Sequence, residues 1–399
     1  MQNAHRRYSR GVKAFTAIVL TILAGCGTAL GAAGPARQAF DLEMPVPPTP
    51  VTIAGTLRLV YELHLTNFAR VPLRVQRVEV LDANSESVIA DLRGETLIGG
   101  FEQIDGIPAD SGGREITPRT RDVLYFDIEL KGAAAPRELE HRITYQAVAE
   151  DAPPPVVLRA AHVQVLREPP VTIAQPLRGG PWAAIYHPSW ERGHRRYVYA
   201  TDGIARIPGR YAVDWVLLDQ EGHRARGDAD EIANWYGYGA DVLAVADGMV
   251  AAMRDDVSES ATLSGHPQLP LEDATGNYVA LRLENGLFVF YEHLKPGSIR
   301  VREGDRVRRG EAIGAIGFTG HSMGPHLHFH LADANSPLGA EGMPFVIDAF
   351  DVLGSYGGFD SIKDVPWTPF DEAAESHRTE EMPGPNVVVD FGQDPSSEP

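Results

Sequence analysis

The sequence predicts an all-β chain. Short apolar segments with period-two alternation recur along it, turn-forming residues separate them, and no long amphipathic helix is present. Over residues 39–172 such segments are read at 57–65, 75–80, 123–130, 142–148 and 163–166. Short strands at this spacing suggest a β-sandwich of immunoglobulin type, a spacer or docking domain with no catalytic grouping. Pro169, Pro170, Pro176 and Pro181 mark the linker into a second β-domain at 173–355. Its frequent glycines, among them Gly276, Gly310, Gly317 and Gly324, read as turns or bulges. Residues 356–399 are expected to form an acidic, largely disordered tail, because 371–399 are rich in Glu, Asp, Pro and Ser.

The first 25 residues read as a signal peptide. Arg6, Arg7, Arg10 and Lys13 precede an apolar stretch too short to span a bilayer. It ends at Leu23-Ala24-Gly25-Cys26, which resembles a bacterial lipobox. That resemblance implies lipidation of Cys26, the single cysteine, with 26–38 as a small-residue tether and a lipid anchor in the membrane. Cleavage near Ala32-Ala33-Gly34 would instead give a secreted protein. The segment holds four basic and no acidic residues, so its removal takes the formal charge from −18 to −22. A chain this acidic is not expected to bind nucleic acid. Without cysteines beyond Cys26, no disulfide supports the fold, and the chain is long enough not to need one.

The chemistry concentrates at Pro325-His326-Leu327-His328-Phe329-His330. On a β-strand the three histidines share one face, and Leu327 and Phe329 pack on the other. Imidazoles in a row suit a metal or proton-transfer site. Upstream stand Tyr211-Ala212-Val213-Asp214-Trp215, Val242-Leu243-Ala244-Val245, Gly276-Asn277-Tyr278-Val279, Phe290-Tyr291-Glu292-His293-Leu294 and Gly317-Phe318-Thr319-Gly320-His321.

In this order the motifs, spanning roughly 194–350, resemble the lysostaphin/LytM family of zinc metallopeptidases. The resemblance implies a LytM-type antiparallel β-domain with an open groove and one bound Zn²⁺. It makes Asp214 and His328 zinc ligands, and His293 and His326 catalytic residues that move protons and stabilise charge on the scissile carbonyl. Zinc with three protein ligands keeps a position for water. The pattern departs at one place. The first ligand should lie four residues before Asp214, and that residue is Arg210, whose guanidinium cannot ligate. A hairpin about the Asp202-Gly203 turn could place His194 opposite Arg210, on the face of Asp214, as the replacement ligand. His187, His223 and His266 read as loop residues, and His321 and His330 flank the site. Two long segments, 218–240 and 254–275, should rim the groove, with Trp235, Tyr236 and Tyr238 available to line it.

Two readings follow. One is a zinc endopeptidase of the cell envelope, lipid-anchored on the periplasmic or outer face, that cuts peptide cross-links of peptidoglycan. The other is a degenerate LytM-type domain that binds and regulates a wall enzyme or another envelope protein. A carrier or adaptor module would share the glycine pattern but would not need His293 together with His326 and His328.

Overall fold

The computed structural model describes residues 39–101, 113–132, 134–190, 193–358, 366–370 and 376–392. They are nearly all β; the α-helix among them, Glu95–Gly100, is a single short segment. The expected signal peptide, the tether and Cys26 lie outside the described residues. Among the described residues no helix is long and apolar enough to cross a membrane.

Two antiparallel sheets build the N-terminal part. Phe40–Glu43 and Pro50–Ile53 pair with opposite ends of the long strand Thr56–Asn67, and Arg121–Glu129 pairs along most of its length. The second sheet runs Val88–Arg93, Leu73–Asp82, Glu138–Ala147, Val156–Gln164, with Arg114–Ile116 also on Leu73–Asp82. Leu59, Tyr61, Leu63 and Leu65 alternate into a core shared with Phe126, Val78, Val80, Leu139 and Ile143. The other face of the same strand is buried too. Val60 joins the core of the second part, and Glu62 is 2% exposed. A strand covered on both faces therefore carries a carboxylate into the contact between the two parts.

In the second part the main sheet runs Val171–Ile173, Phe345–Ser355, Val387–Asp390, Trp182–Ile185, Val213–Leu217, Leu327–Ala332, Phe288–Leu294, Asn277–Arg282, Gly248–Arg254, Arg306–Val307. Its pairings are antiparallel apart from the first. Val213, Trp215, Tyr291, Leu327, Phe329 and Leu331 fill its core, so Asp214, His328 and His330 project to the other face.

The expected disordered tail is corrected over 376–392. His377–Glu381 and Val387–Asp390 are strands, and Val388 and Val389 are fully buried. Three consecutive valines have the branched, apolar shape a buried strand needs. The acidic composition of the surrounding residues conceals them.

Candidate metal and catalytic site

Three neighbouring strands carry the centre of the site. Asp214 and His328 are direct cross-strand partners, and Glu292 partners His328 on its other side. The strand itself begins at Leu327, one residue after His326. His326 is fixed instead through Nδ1, which donates to the Gly324 carbonyl at 2.8 Å and lies 3.2 Å from Ser322 Oγ. Gly324 is required there because a Cβ would meet the Trp235 ring at 2.4 Å.

A β-bulge aims His293. Where one strand advances from Asn277 to Val279, its partner runs from Leu294 to Tyr291 and carries one residue more. His293 takes φ 63° there, a left-handed conformation that favours glycine. The consequence is that the adjacent residues Glu292 and His293 both line the groove. His293 Nδ1 donates to the Thr319 carbonyl at 2.8 Å, which leaves Nε2 without that proton.

His194 reaches the site by a different route from the one expected. The hairpin is short, Tyr199–Thr201 with Ile204–Arg206 about Asp202 and Gly203. His194 lies beyond it, in a 3₁₀ turn, His194–Arg196, packed on a second 3₁₀ turn, Pro208–Tyr211. Pro208 opens the second turn, and Gly209 admits the first: a Cβ at 209 would stand 2.6 Å from the His194 carbonyl carbon. His194 also adopts a left-handed backbone, φ 43°. Backbone in this region, for a residue other than glycine, typically costs about 1–3 kcal/mol and concentrates at functional sites.

His194 Nε2 lies 3.1 Å from Asp214 Oδ2, and His328 Nδ1 lies 2.7 Å from Asp214 Oδ1. One potential ligand atom from each of these residues falls within 4.8 Å of the others. The same holds for His293, His326 and His328. A carboxylate and two imidazoles converging on one point are a donor set that suits zinc. Arg210 is absent from this convergence. Its guanidinium is spent on Glu62, Glu341 and the Gly342 carbonyl, and the two carboxylates neutralise its charge.

The hydrogen-bond partners sort the four histidines. His293 and His326 each spend Nδ1 on a backbone carbonyl. His194 and His328 instead direct a ring nitrogen at the Asp214 carboxylate at close range. Electrostatics agree with a compact polar site. Burial would raise the Asp214 carboxyl, but His194 and His326 outweigh it and hold the group well below the usual range. Burial, helped by charge on His326 and His328, drives His293 well below the ordinary imidazole value. His326 moves the other way: burial lowers it, and Asp214 more than offsets that. Burial and the Asp214 charge push Glu292 well up.

These side chains lie in a groove of about 1230 Å³. Trp235 lines it, as do Arg224, Leu271 and Ala274 from the two long segments. Backbone bonds between Ile232 and Ala261, and between Leu263 and Asp230, tie those segments together into one rim. Tyr236 and Tyr238 are not among the lining residues. Tyr236 donates to Asp219 at 3.1 Å, and Tyr238 donates to Glu259. Adjacent aromatic residues at 235 and 236 could not show from sequence which ring faces the groove. Trp190, Tyr197, Tyr199 and Met323 line the groove without having been anticipated. Glu292 and Glu62 also escape sequence reasoning. The available signal for each was a carboxylate inside a largely apolar strand.

Residues 233–339 match the model of Peptidase family M23. The matched segment contains His293, His326 and His328; His194 and Asp214 precede it. Over 65 residues the chain is 42% identical to the peptidoglycan DD-endopeptidase ShyA of Vibrio cholerae serotype O1, covering 16% of this chain and 15% of that protein. It is 33% identical over 102 residues to ShyB, a peptidoglycan DD-endopeptidase of the same organism, covering 26% and 20%. It is 44% identical over 63 residues to the DD-carboxypeptidase/endopeptidase Mpg of Neisseria meningitidis serogroup B, covering 16% and 14%. The chain thus spans no more than a fifth of the length of these relatives. Among solved structures, the catalytic domain of lysostaphin from Staphylococcus simulans is 23% identical, with 37% of this chain and 85% of that chain covered and a TM-score of 0.22. A zinc-containing peptidase from Vibrio cholerae is 17% identical, with coverages of 73% and 82% and a TM-score of 0.21. Residues 233–339 are a domain of Peptidase family M23, of the LytM/lysostaphin type.

Proposed function

We propose that this chain is a zinc-dependent endopeptidase of the cell envelope that cleaves peptide cross-links of peptidoglycan, held at a membrane by lipid on Cys26. The observation that carries the reading is the convergence of His194, Asp214 and His328 beside His293 and His326 in one groove. His194 supplies the imidazole that Arg210 cannot, so the ligand set reaches the three protein ligands typical of catalytic zinc. Relatives named as peptidoglycan DD-endopeptidases support the substrate class.

Asp214, His194 and His328 would hold the ion, which supplies Lewis-acid polarisation and lowers the pKa of water. His293 presents Nε2 to the groove because Nδ1 is committed to Thr319, and it takes or returns a proton there. His326, fixed through Nδ1, directs Nε2 toward the centre and donates to the oxyanion that develops on the scissile carbonyl. Trp235 and the rim exclude water on one side of the substrate strand.

The test is metal analysis of the purified protein together with release of soluble fragments from peptidoglycan, with and without a chelator. About one zinc per chain and chelator-sensitive release are expected, with zinc lost in both His194→Ala and His328→Ala. A zinc-free protein that releases nothing above the chelated control overturns the proposal. Full zinc in His194→Ala removes that residue from the ligand set.

A further inference from the structure

We infer that the N-terminal β-part is a working component of the metal site, because Glu62 and Arg195 together hold the turn that delivers His194. This rests on the zinc reading above and adds to it a positioning role for Arg195 and for Glu62, the latter far from the groove residues in sequence.

Within its turn His194 is followed at once by two buried arginines. Arg195 is 3% exposed and donates to Glu62 Oε1 at 2.9 Å, to the Tyr61 carbonyl at 3.2 Å and to the Phe126 carbonyl at 3.0 Å. All three acceptors belong to the paired strands Thr56–Asn67 and Arg121–Glu129 of the N-terminal part. Arg196 donates to the carbonyls of Phe101 and Gly99 and stacks its guanidinium on Tyr125, 4.4 Å from the ring centre. The His194–Arg196 turn is therefore fastened to the N-terminal sheet on one side while His194 faces Asp214 on the other.

Arg210 completes the arrangement. Its Nε donates to Glu62 Oε2 at 2.7 Å, and a terminal nitrogen donates to Glu341 at 2.8 Å. One carboxylate thus ties together both 3₁₀ turns, through Arg195 of the first and Arg210 of the second. Two arginines and two glutamates make the buried network neutral, and Glu62 stays ionised because Arg210 and Arg195 outweigh its burial. Arg210 occupies the position where the family pattern expects a ligand, and here it fastens to Glu62 the second turn, on which the turn of His194 packs.

The placement of His194 also needs bracing. Its left-handed backbone has to be imposed by surrounding contacts. Among the described residues its Nδ1 is buried without a hydrogen-bond partner, so no second hydrogen bond holds the imidazole in place. Partners outside the ligand shell that orient a ligand typically change metal affinity by about 10–100-fold when removed.

The experiment measures the zinc dissociation constant of the full chain by competition with a chromogenic chelator. Amide exchange over 193–212 is measured in parallel on the metal-free protein. Glu62→Gln and Arg195→Met are expected to weaken zinc binding about 10–100-fold and to speed exchange at 193–197. Asp122→Asn, which breaks the buried pair with Arg114 at 2.6 Å and leaves the Glu62, Arg195 and Arg210 contacts in place, is expected to lower stability while zinc affinity stays within about twofold. Arg195→Met leaves Glu62 paired with Arg210, so it keeps the test decisive if Glu62→Gln does not fold. Folded Arg195→Met with unchanged zinc affinity and unchanged exchange overturns the inference. Equal weakening by Asp122→Asn overturns it as well, since the effect would then track stability alone. An unmodified protein without zinc sinks the metal reading and with it the role in metal binding. The exchange data then still decide whether the N-terminal part orders the turn.

Discussion

Arg210→His is the substitution that the family pattern invites, and the structure predicts that it fails. It would place an imidazole four residues before Asp214, where a ligand is expected. Yet residue 210 points into the contact with the N-terminal strand, with its guanidinium on Glu62 at 2.7 Å, Glu341 at 2.8 Å and the Gly342 carbonyl at 2.9 Å. An imidazole is too short to reach both carboxylates. Glu62 would keep Arg195, while Glu341 would be left with Arg206 at 3.8 Å and the Ile207 N–H at 3.3 Å. Surface ion pairs contribute about 0–1 kcal/mol. Removing one partner of a buried pair leaves an uncompensated charge and typically costs about 3–5 kcal/mol. The side chains of Arg210, Glu62 and Glu341 are 3%, 2% and 7% exposed, so the larger figure applies. Urea unfolding followed by tryptophan fluorescence should show a lowered midpoint equivalent to a loss of about 3–5 kcal/mol. Zinc analysis should show no gain, and the double variant His194→Ala/Arg210→His should remain zinc-deficient. A loss below about 1 kcal/mol, or zinc restored in the double variant, would refute this account of Arg210.

Three further outcomes are expected. His293→Ala and His326→Ala should each keep zinc and thermal stability while peptidoglycan turnover falls about 10²–10⁴-fold; loss of zinc in either would make that residue a ligand instead. Gly324→Ala should displace the Trp235 ring or the His326 segment, with a destabilisation of about 1–3 kcal/mol and weaker turnover; an unchanged melting curve and rate would show that the ring yields freely. Burial lowers His141 from 6.5 to about 4, so the unfolded chain binds its proton first as pH falls. Stability is therefore lost between about pH 6.5 and pH 4, by up to about 3 kcal/mol. His141→Gln should flatten that part of a urea-midpoint-against-pH curve, and an unaltered slope would show that other groups carry it.

Period two made much of this site legible in advance. Leu327 and Phe329 pack inward, so His328 and His330 had to share the outward face, and Asp214 follows from Val213 and Trp215 in the same way. Strand alternation says nothing about residues held by turns and bulges. His293 shares a face with Glu292 only because the opposing strand is one residue shorter there. The sequence points to His194 as a ligand candidate, but by way of a longer hairpin about Asp202-Gly203. Pro208 and Gly209 replace that hairpin with two stacked turns. Glu62 was invisible because its role depends on which second surface covers an already paired strand, and local sequence does not encode that. The tail strand Val387–Asp390 was hidden by averaging its valines with acidic neighbours.

The choice between a catalyst and a binding-only domain can be argued from what the site gives up in stability. His194 and His293 hold left-handed backbones, and among the described residues Glu292 Oε1 is buried without a hydrogen bond. Each feature is unfavourable by about a kilocalorie per mole or more. A surface that only docked a partner would gain nothing from a histidine supplied by a separate braced turn, because the recognition could be done by the rim. A metal centre gains a ligand from that turn, and the ion's binding energy, available only to the folded state, offsets the strain. The catalytic reading therefore requires that zinc stabilise this protein measurably. Thermal melts should rise with zinc in the unmodified chain and respond weakly in His194→Ala. Melts that ignore zinc in both would leave the strain without a source of compensation and would favour the partner-binding reading.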